Sequence, residues 1–135
     1  MSERMNKEEL LKLLKTLNIN KEEYWLLSSS ALVLRGIYPD AGDLDIAVTN
    51  KGLEELKNNY NVIFKENGWF SISDNIEVIC DGEKEKLKYA PEKVGDYYVQ
   101  NIEEYYEYLC RSEREKDKVR IPIVKEYMKK LNNNK

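Results

Sequence analysis

Two carboxylates stand one residue apart in the run Asp43-Leu44-Asp45-Ile46-Ala47-Val48-Thr49. Side chains alternate along an extended strand, so Asp43 and Asp45 share a face with Ala47 and Thr49, while Leu44, Ile46 and Val48 take the other. Paired aspartates are hard, anionic oxygen donors of the kind that hold Mg²⁺. Upstream, Leu27 is followed by Ser28, Ser29 and Ser30, which lead into Ala31 to Arg35 and a closing Gly36. Backbone N–H groups at a helix start attract phosphate oxygens. A cation held beside them would bridge phosphates and stabilise charge on attacking and leaving oxygens. Neither half decides the matter alone: serines before a helix serve most often as caps, and an isolated Asp-x-Asp is most often a solvated strand edge. Together, at this distance, they point to phosphoryl-transfer chemistry.

Over Leu27 to Val48 the chain resembles the DNA polymerase beta-like nucleotidyltransferases, in particular their small bacterial and phage members. The family pattern is an apolar residue, Gly, then Gly or Ser, and after a short spacer an Asp-apolar-Asp/Glu-apolar run. Leu27-Ser28-Ser29 and Asp43-Leu44-Asp45-Ile46 match it in order, with Ser30 to Gly42 as a thirteen-residue spacer. Ala31-Leu32-Val33-Leu34-Arg35-Gly36 is also similar to the small members. The resemblance implies a nucleotidyltransferase fold and transfer of a nucleoside monophosphate from an NTP to a hydroxyl, with Mg²⁺ as cofactor. It implies Asp43 and Asp45 as metal ligands, and a third carboxylate on a neighbouring strand that completes the metal site or takes the proton of the attacking hydroxyl. Glu77 is the candidate, opposite Ile76, Val78 and Cys80 on an alternating strand; Asp81 shares its face as a fallback, and Asp74 reads as a turn residue.

By the same resemblance Ser28, Ser29 and Ser30 would position the triphosphate. Lys116, in the Lys116-Asp117 pair before the last helix, would reach a phosphate; the plainer reading of that pair is a salt-bridged helix start. Arg35 is either a phosphate contact or a surface residue over the first helix. One departure stands out: Ser28 replaces the family's first glycine. If the turn needs φ > 0 there, serine is a strained substitute, so either the loop differs or nucleotide binding is weakened. The alternative function is therefore a nucleotidyltransferase-like binding or regulatory module with little catalysis. The acceptor stays open between a small molecule, a tRNA end and a protein side chain.

Composition limits the other choices. The chain has 135 residues, 41% hydrophobic and 35% charged, which suits a single α/β (α+β) domain with a heavily charged surface. It contains no histidine, which removes Ser-His-Asp and Cys-His hydrolases and histidine-bearing zinc sites. A net charge of −3 offers no global attraction for nucleic acid. No apolar run is long enough to span a bilayer, and Met1 to Leu14 mixes Glu and Lys through its leucines, unlike a signal peptide. A cytoplasmic protein without membrane association is expected. Cys80 and Cys110 read as a buried pair of reduced thiols. So short a chain has no recognisable second substrate domain, and a homodimer would supply that surface.

The elements that must carry these residues follow from periodicity. Leu10, Leu11, Leu13, Leu14 and Leu17 make an amphipathic first helix capped near Asn6, within residues 1–20. Tyr24 to Leu27 is a buried strand interrupted by the serines, with a short helix from Ala31 to Arg35 closed by Gly36. After the Pro39 to Gly42 loop and the Leu44 to Thr49 strand, Asn50 caps a helix over Leu53 to Lys57. Asn61 to Lys65 and Trp69 to Ser73 form a hairpin around Asn67-Gly68, and Ile76 to Cys80 is the next strand. A charged connector leads to an extended piece at Tyr97 to Val99. Residues 101–131 hold two helices. One is capped by Asn101 with Ile102, Tyr105, Tyr106 and Leu109 inward; the other carries Val119, Ile123, Tyr127, Met128 and Leu131, started or kinked by Pro122. The tail Asn132-Asn133-Asn134 is expected to fray. These elements predict a mixed, mostly antiparallel sheet backed by helices.

Overall fold

Asn6 and Glu9 each accept the other's backbone N–H, and this reciprocal cap starts α1 (Lys7–Lys15). The computed structural model describes residues 4–82 and 87–133. Strand β1 (Tyr24–Leu26) runs directly into α2 (Ser28–Arg35), which ends at Gly36 with φ +83°. The three serines are thus the first turn of α2 rather than an interruption before it. Next come β2 (Leu44–Thr49) and α3 (Asn50–Asn59). The α3 cap is Thr49, whose hydroxyl accepts from Gly52 N–H at 3.1 Å, and not Asn50 as expected. Strands β3 (Ile63–Phe64) and β4 (Trp69–Ser73) form the hairpin, with Asn67 and Gly68 both at positive φ. Strand β5 (Ile76–Gly82) follows a turn that contains Asp74.

Beyond residues 83–86, which lie outside the described part, the expected connector contains a strand, β6 (Glu92–Val94), paired with β7 (Tyr97–Val99). Its three residues are too few and too charged to show an alternation. Helices α4 (Ile102–Arg111) and α5 (Glu115–Asn133) complete the chain. Pro122 does not start α5 but lies inside it. The start is set instead seven residues earlier, where Arg114 accepts at its carbonyl from Asp117 and Lys118 N–H. Asn132 and Asn133 are the last residues of α5, and Asn134 lies outside the described residues.

Seven strands form one mixed sheet among the described residues, in the order β3-β4-β5-β2-β1-β7-β6. Four neighbouring pairs are antiparallel; β2–β5 and β1–β7 are parallel. Leu44, Ile46, Val48, Ile76 and Val78 cluster with Leu10 and Leu14 of α1 and Leu56 of α3, so this face of the central strands is the main core. A smaller cluster joins Leu32 of α2 to Ile102, Tyr105 and Leu109 of α4 and Val124 of α5. The inward stripe of α5 differs from the expected one: Val119 is 63% exposed, whereas Arg120 and Val124 are buried. An arginine at an inward position hides that stripe from a hydrophobic pattern. Cys110 is exposed on the outer side of α4 and Cys80 is half-buried, so the expected buried thiol pair does not exist. Among the described residues no helix is long and apolar enough to cross a membrane.

The docking of α3 is tight enough to test. A methyl group at Gly52 would meet the Glu23 carbonyl oxygen at 2.7 Å and Val48 Cβ at 3.1 Å. Ala normally favours a helix over Gly by about 1 kcal/mol, but pushing a methyl into backbone costs about 1–3 kcal/mol. Gly52→Ala is therefore expected to lower stability by up to about 2 kcal/mol in urea unfolding. A raised midpoint would show that α3 sits further from Glu23 and β2 than described.

Candidate carboxylate site

Asp45 is the second residue of β2, and its backbone is fixed by α2. Leu27 N–H donates to the Asp45 carbonyl at 2.8 Å, and Asp45 N–H donates to Ser30 Oγ at 3.3 Å. Ser30 is wholly buried, and its hydroxyl lies 2.6 Å from the Leu27 carbonyl and 3.2 Å from that of Asp45. Its chemistry is therefore inside the fold: Ser30 ties the start of α2 to the strand that bears Asp45. Ser28 and Ser29 are half-buried at the same turn. Ser28 has φ +51°, so the turn does use the left-handed region at the position where the resemblance expects glycine, and serine adopts it. No side chain caps α2, which leaves the amides of its first turn without the usual hydroxyl or carboxylate acceptor.

The parallel pairing of β2 with β5 sets Asp45 opposite Glu77. Both carboxylates line a cavity of about 490 Å³ whose other walls are Lys65, Glu66 and Trp69. Lys65 Nζ forms an ion pair with Glu77 Oε1, while Glu77 Oε2 is buried without a hydrogen-bond partner. Asp43 precedes β2, is exposed, and is not a wall of the cavity. Its charge still reaches Asp45. Burial, with the neighbouring charges of Asp43 and Glu77, pushes the Asp45 carboxyl up to about 6, against the pull of Lys116 and Arg120.

Asp81 is exposed beside the irregularity that shifts the β2–β5 register, and Asp74 lies in the β4–β5 turn; neither lines the cavity. Lys116 is exposed at the start of α5, close enough for its field to act on Asp45. Its neighbour Asp117 is wholly buried and accepts from Ser112 Oγ at 2.6 Å and Arg114 Nε at 2.8 Å, so it ties α4 to α5. Arg35 is neither a phosphate contact nor a surface residue. Its side chain is 3% exposed and donates to Glu92 Oε1 at 2.7 Å, the Gln100 carbonyl at 2.9 Å and Tyr127 Oη at 3.2 Å.

Sequence reasoning missed Lys65, Trp69 and Arg120 as neighbours of the carboxylates. Lys65 and Trp69 belong to a hairpin whose place beside β5 depends on pairing across the sheet. Arg120 donates to Tyr105 Oη at 3.0 Å and lies 5.1 Å over the Tyr38 ring, contacts that no local pattern announces. No family model matches the chain, and neither a curated protein nor a solved structure matches it.

Among the described residues no group of three histidine, cysteine or acidic side chains is disposed to hold a metal ion. The pair that faces the cavity nevertheless fits a hard divalent cation. Asp45 and Glu77 offer only carboxylate oxygens, one of them buried and unpartnered, and such ions complete their shells with water or phosphate oxygens.

The raised Asp45 value has a defined sign in stability. Below about 4, Asp45 is protonated in both folded and unfolded chains and contributes no penalty. Between about 4 and 6 only the unfolded chain ionises freely, so the folded state loses stability; above about 6 the loss is complete. Without divalent ions, Asp45→Asn is expected to be more stable than the parent at pH 8 by on the order of 2 kcal/mol. That gain should vanish toward pH 4. Urea titrations at several pH values check this, and a pH-independent difference would show that Asp45 is not strained by burial and like charge.

Proposed function

We propose that this chain is a Mg²⁺-dependent nucleotidyltransferase of the DNA polymerase beta-like type, which moves a nucleoside monophosphate from an NTP to a hydroxyl. One observation carries the proposal: Asp45 and Glu77 face one cavity on adjacent parallel strands, and the backbone of Asp45 is bonded to the first turn of α2. The strand that bears Asp45 is thereby bonded to a helix start, although Ser28 and Ser29 are not walls of the cavity; phosphate and a divalent ion together call for helix-start amides near carboxylates.

The roles follow from position. Asp45 and Glu77 would hold the metal, with the charge of exposed Asp43 acting on Asp45. When bound, Mg²⁺ supplies charge neutralisation for the phosphates and for the departing pyrophosphate. The amides of Ser28 and Ser29 would orient phosphate oxygens, while Ser30 keeps the turn in register with β2. Lys116, exposed and within electrostatic reach of Asp45, would attract the polyphosphate from the α5 side. Glu77 would either complete the metal site or accept the proton of the acceptor hydroxyl. The second reading, a nucleotide-binding module with little catalysis, draws on one feature: Asp43 stands exposed outside the cavity.

The test is transfer of label from each of the four α-labelled NTPs with Mg²⁺ to RNA, protein and metabolite acceptors. Asp45→Asn is expected to reduce transfer at least a hundredfold, because it replaces an anionic ligand by a neutral one. Asp74→Asn, in the β4–β5 turn, should retain it. Mg²⁺-dependent NTP binding without transfer to any acceptor would favour the binding module, and transfer that survives Asp45→Asn would remove the site assigned here.

A further inference from the structure

Lys65 lies in no motif, yet it is the only basic wall of the carboxylate cavity among the described residues. Its position is held by the hairpin. Lys65 N–H donates to the Trp69 carbonyl at 2.7 Å, and β4 in turn sets Ser71 opposite Glu77. From there the ammonium reaches Glu77 Oε1. The other oxygen, Oε2, is buried and unpartnered, and Asp45 stands across from it on β2. Glu66 adds a third carboxylate to the same walls. One ammonium among the cavity walls therefore faces three carboxylates, with Lys116 and Arg120 acting on Asp45 only from outside those walls.

We propose that Lys65 is a resident cation of this site, holding at Glu77 a position that a divalent ion takes on binding, so that metal loading is an exchange in which the ion displaces the lysine. The inference rests on the reading of Asp45 and Glu77 as metal ligands. Three features suit Lys65 to this role. Its head is a compact point charge on a flexible stem, which can withdraw without disturbing the backbone. The side chain is 48% exposed, so the released ammonium has water to enter. A carboxylate already engaged by an internal cation must give up that bond first, which lowers its apparent affinity for a competing ion.

The experiment is calorimetric titration of Mn²⁺ into the whole chain and its variants. Lys65→Met is expected to bind Mn²⁺ roughly three- to tenfold more tightly than the parent, and Lys65→Arg, which keeps the charge, to remain near or below it. Equal or weaker binding by Lys65→Met overturns the exchange while leaving the metal site intact. Absence of Mn²⁺ binding in both parent and Lys65→Met overturns the exchange together with the metal reading on which it rests. If Lys65→Met does not fold, the parent decides by itself. Acetylation of Lys65, measured against exposed Lys129, should accelerate when Mn²⁺ is added, because the metal frees the amine. A rate unchanged by saturating Mn²⁺ overturns the proposal.

Discussion

Asp45 and Glu77 carry like charge across neighbouring strands, and the parallel pairing of β2 with β5 holds them there. Parallel strands cannot be joined by a tight turn; the chain must leave the end of one and return to the start of the other. Here α3 and the β3–β4 hairpin make that journey. The connection does more than close the topology, because the hairpin brings Lys65, Glu66 and Trp69 to the cavity that the two carboxylates open into. The requirement that aligns the acids thus also delivers the cation that partly offsets them.

On the other side of Asp45 the constraint is the junction of β1, α2 and β2. A serine in the left-handed region and a second serine buried against the β2 backbone make the turn abrupt enough for α2 to start beside the aspartate. Backbone strain of this kind persists where the surroundings hold it in place. They do so here: Leu26 and Val33 are buried in the main core and Leu32 in the second, so both flanks of the turn are anchored.

The second core explains why basic residues approach the site from α5. Asp117 ties α4 to α5 through Ser112 and Arg114, and Arg120 is held by Tyr105 and Tyr38. With those contacts in place, Lys116 and Arg120 lower the cost of ionising Asp45, against burial and the charges of Asp43 and Glu77. The carboxylates therefore lie between a basic flank from the C-terminal helices and the single lysine of the hairpin.

Period and caps were enough to read β2 and several helix ends, though not the start of α2 or the cap of α3. The alternation of Leu44 to Thr49 predicts β2 with its observed bounds, and Asn6, Asn101 and Gly36 mark helix ends because their roles are local. The parity that separates Asp45 and Glu77 from the core follows from the same alternation. Where side chains meet across the sheet is not a local property. Register set Glu77, and not Asp81, opposite Asp45; strand order brought Lys65 to Glu77; helix packing turned Arg120 inward and made Arg35 a buried clamp. Each of those outcomes depends on which distant surfaces bury together, and a polar side chain drawn into such a contact leaves no periodic trace in its own segment.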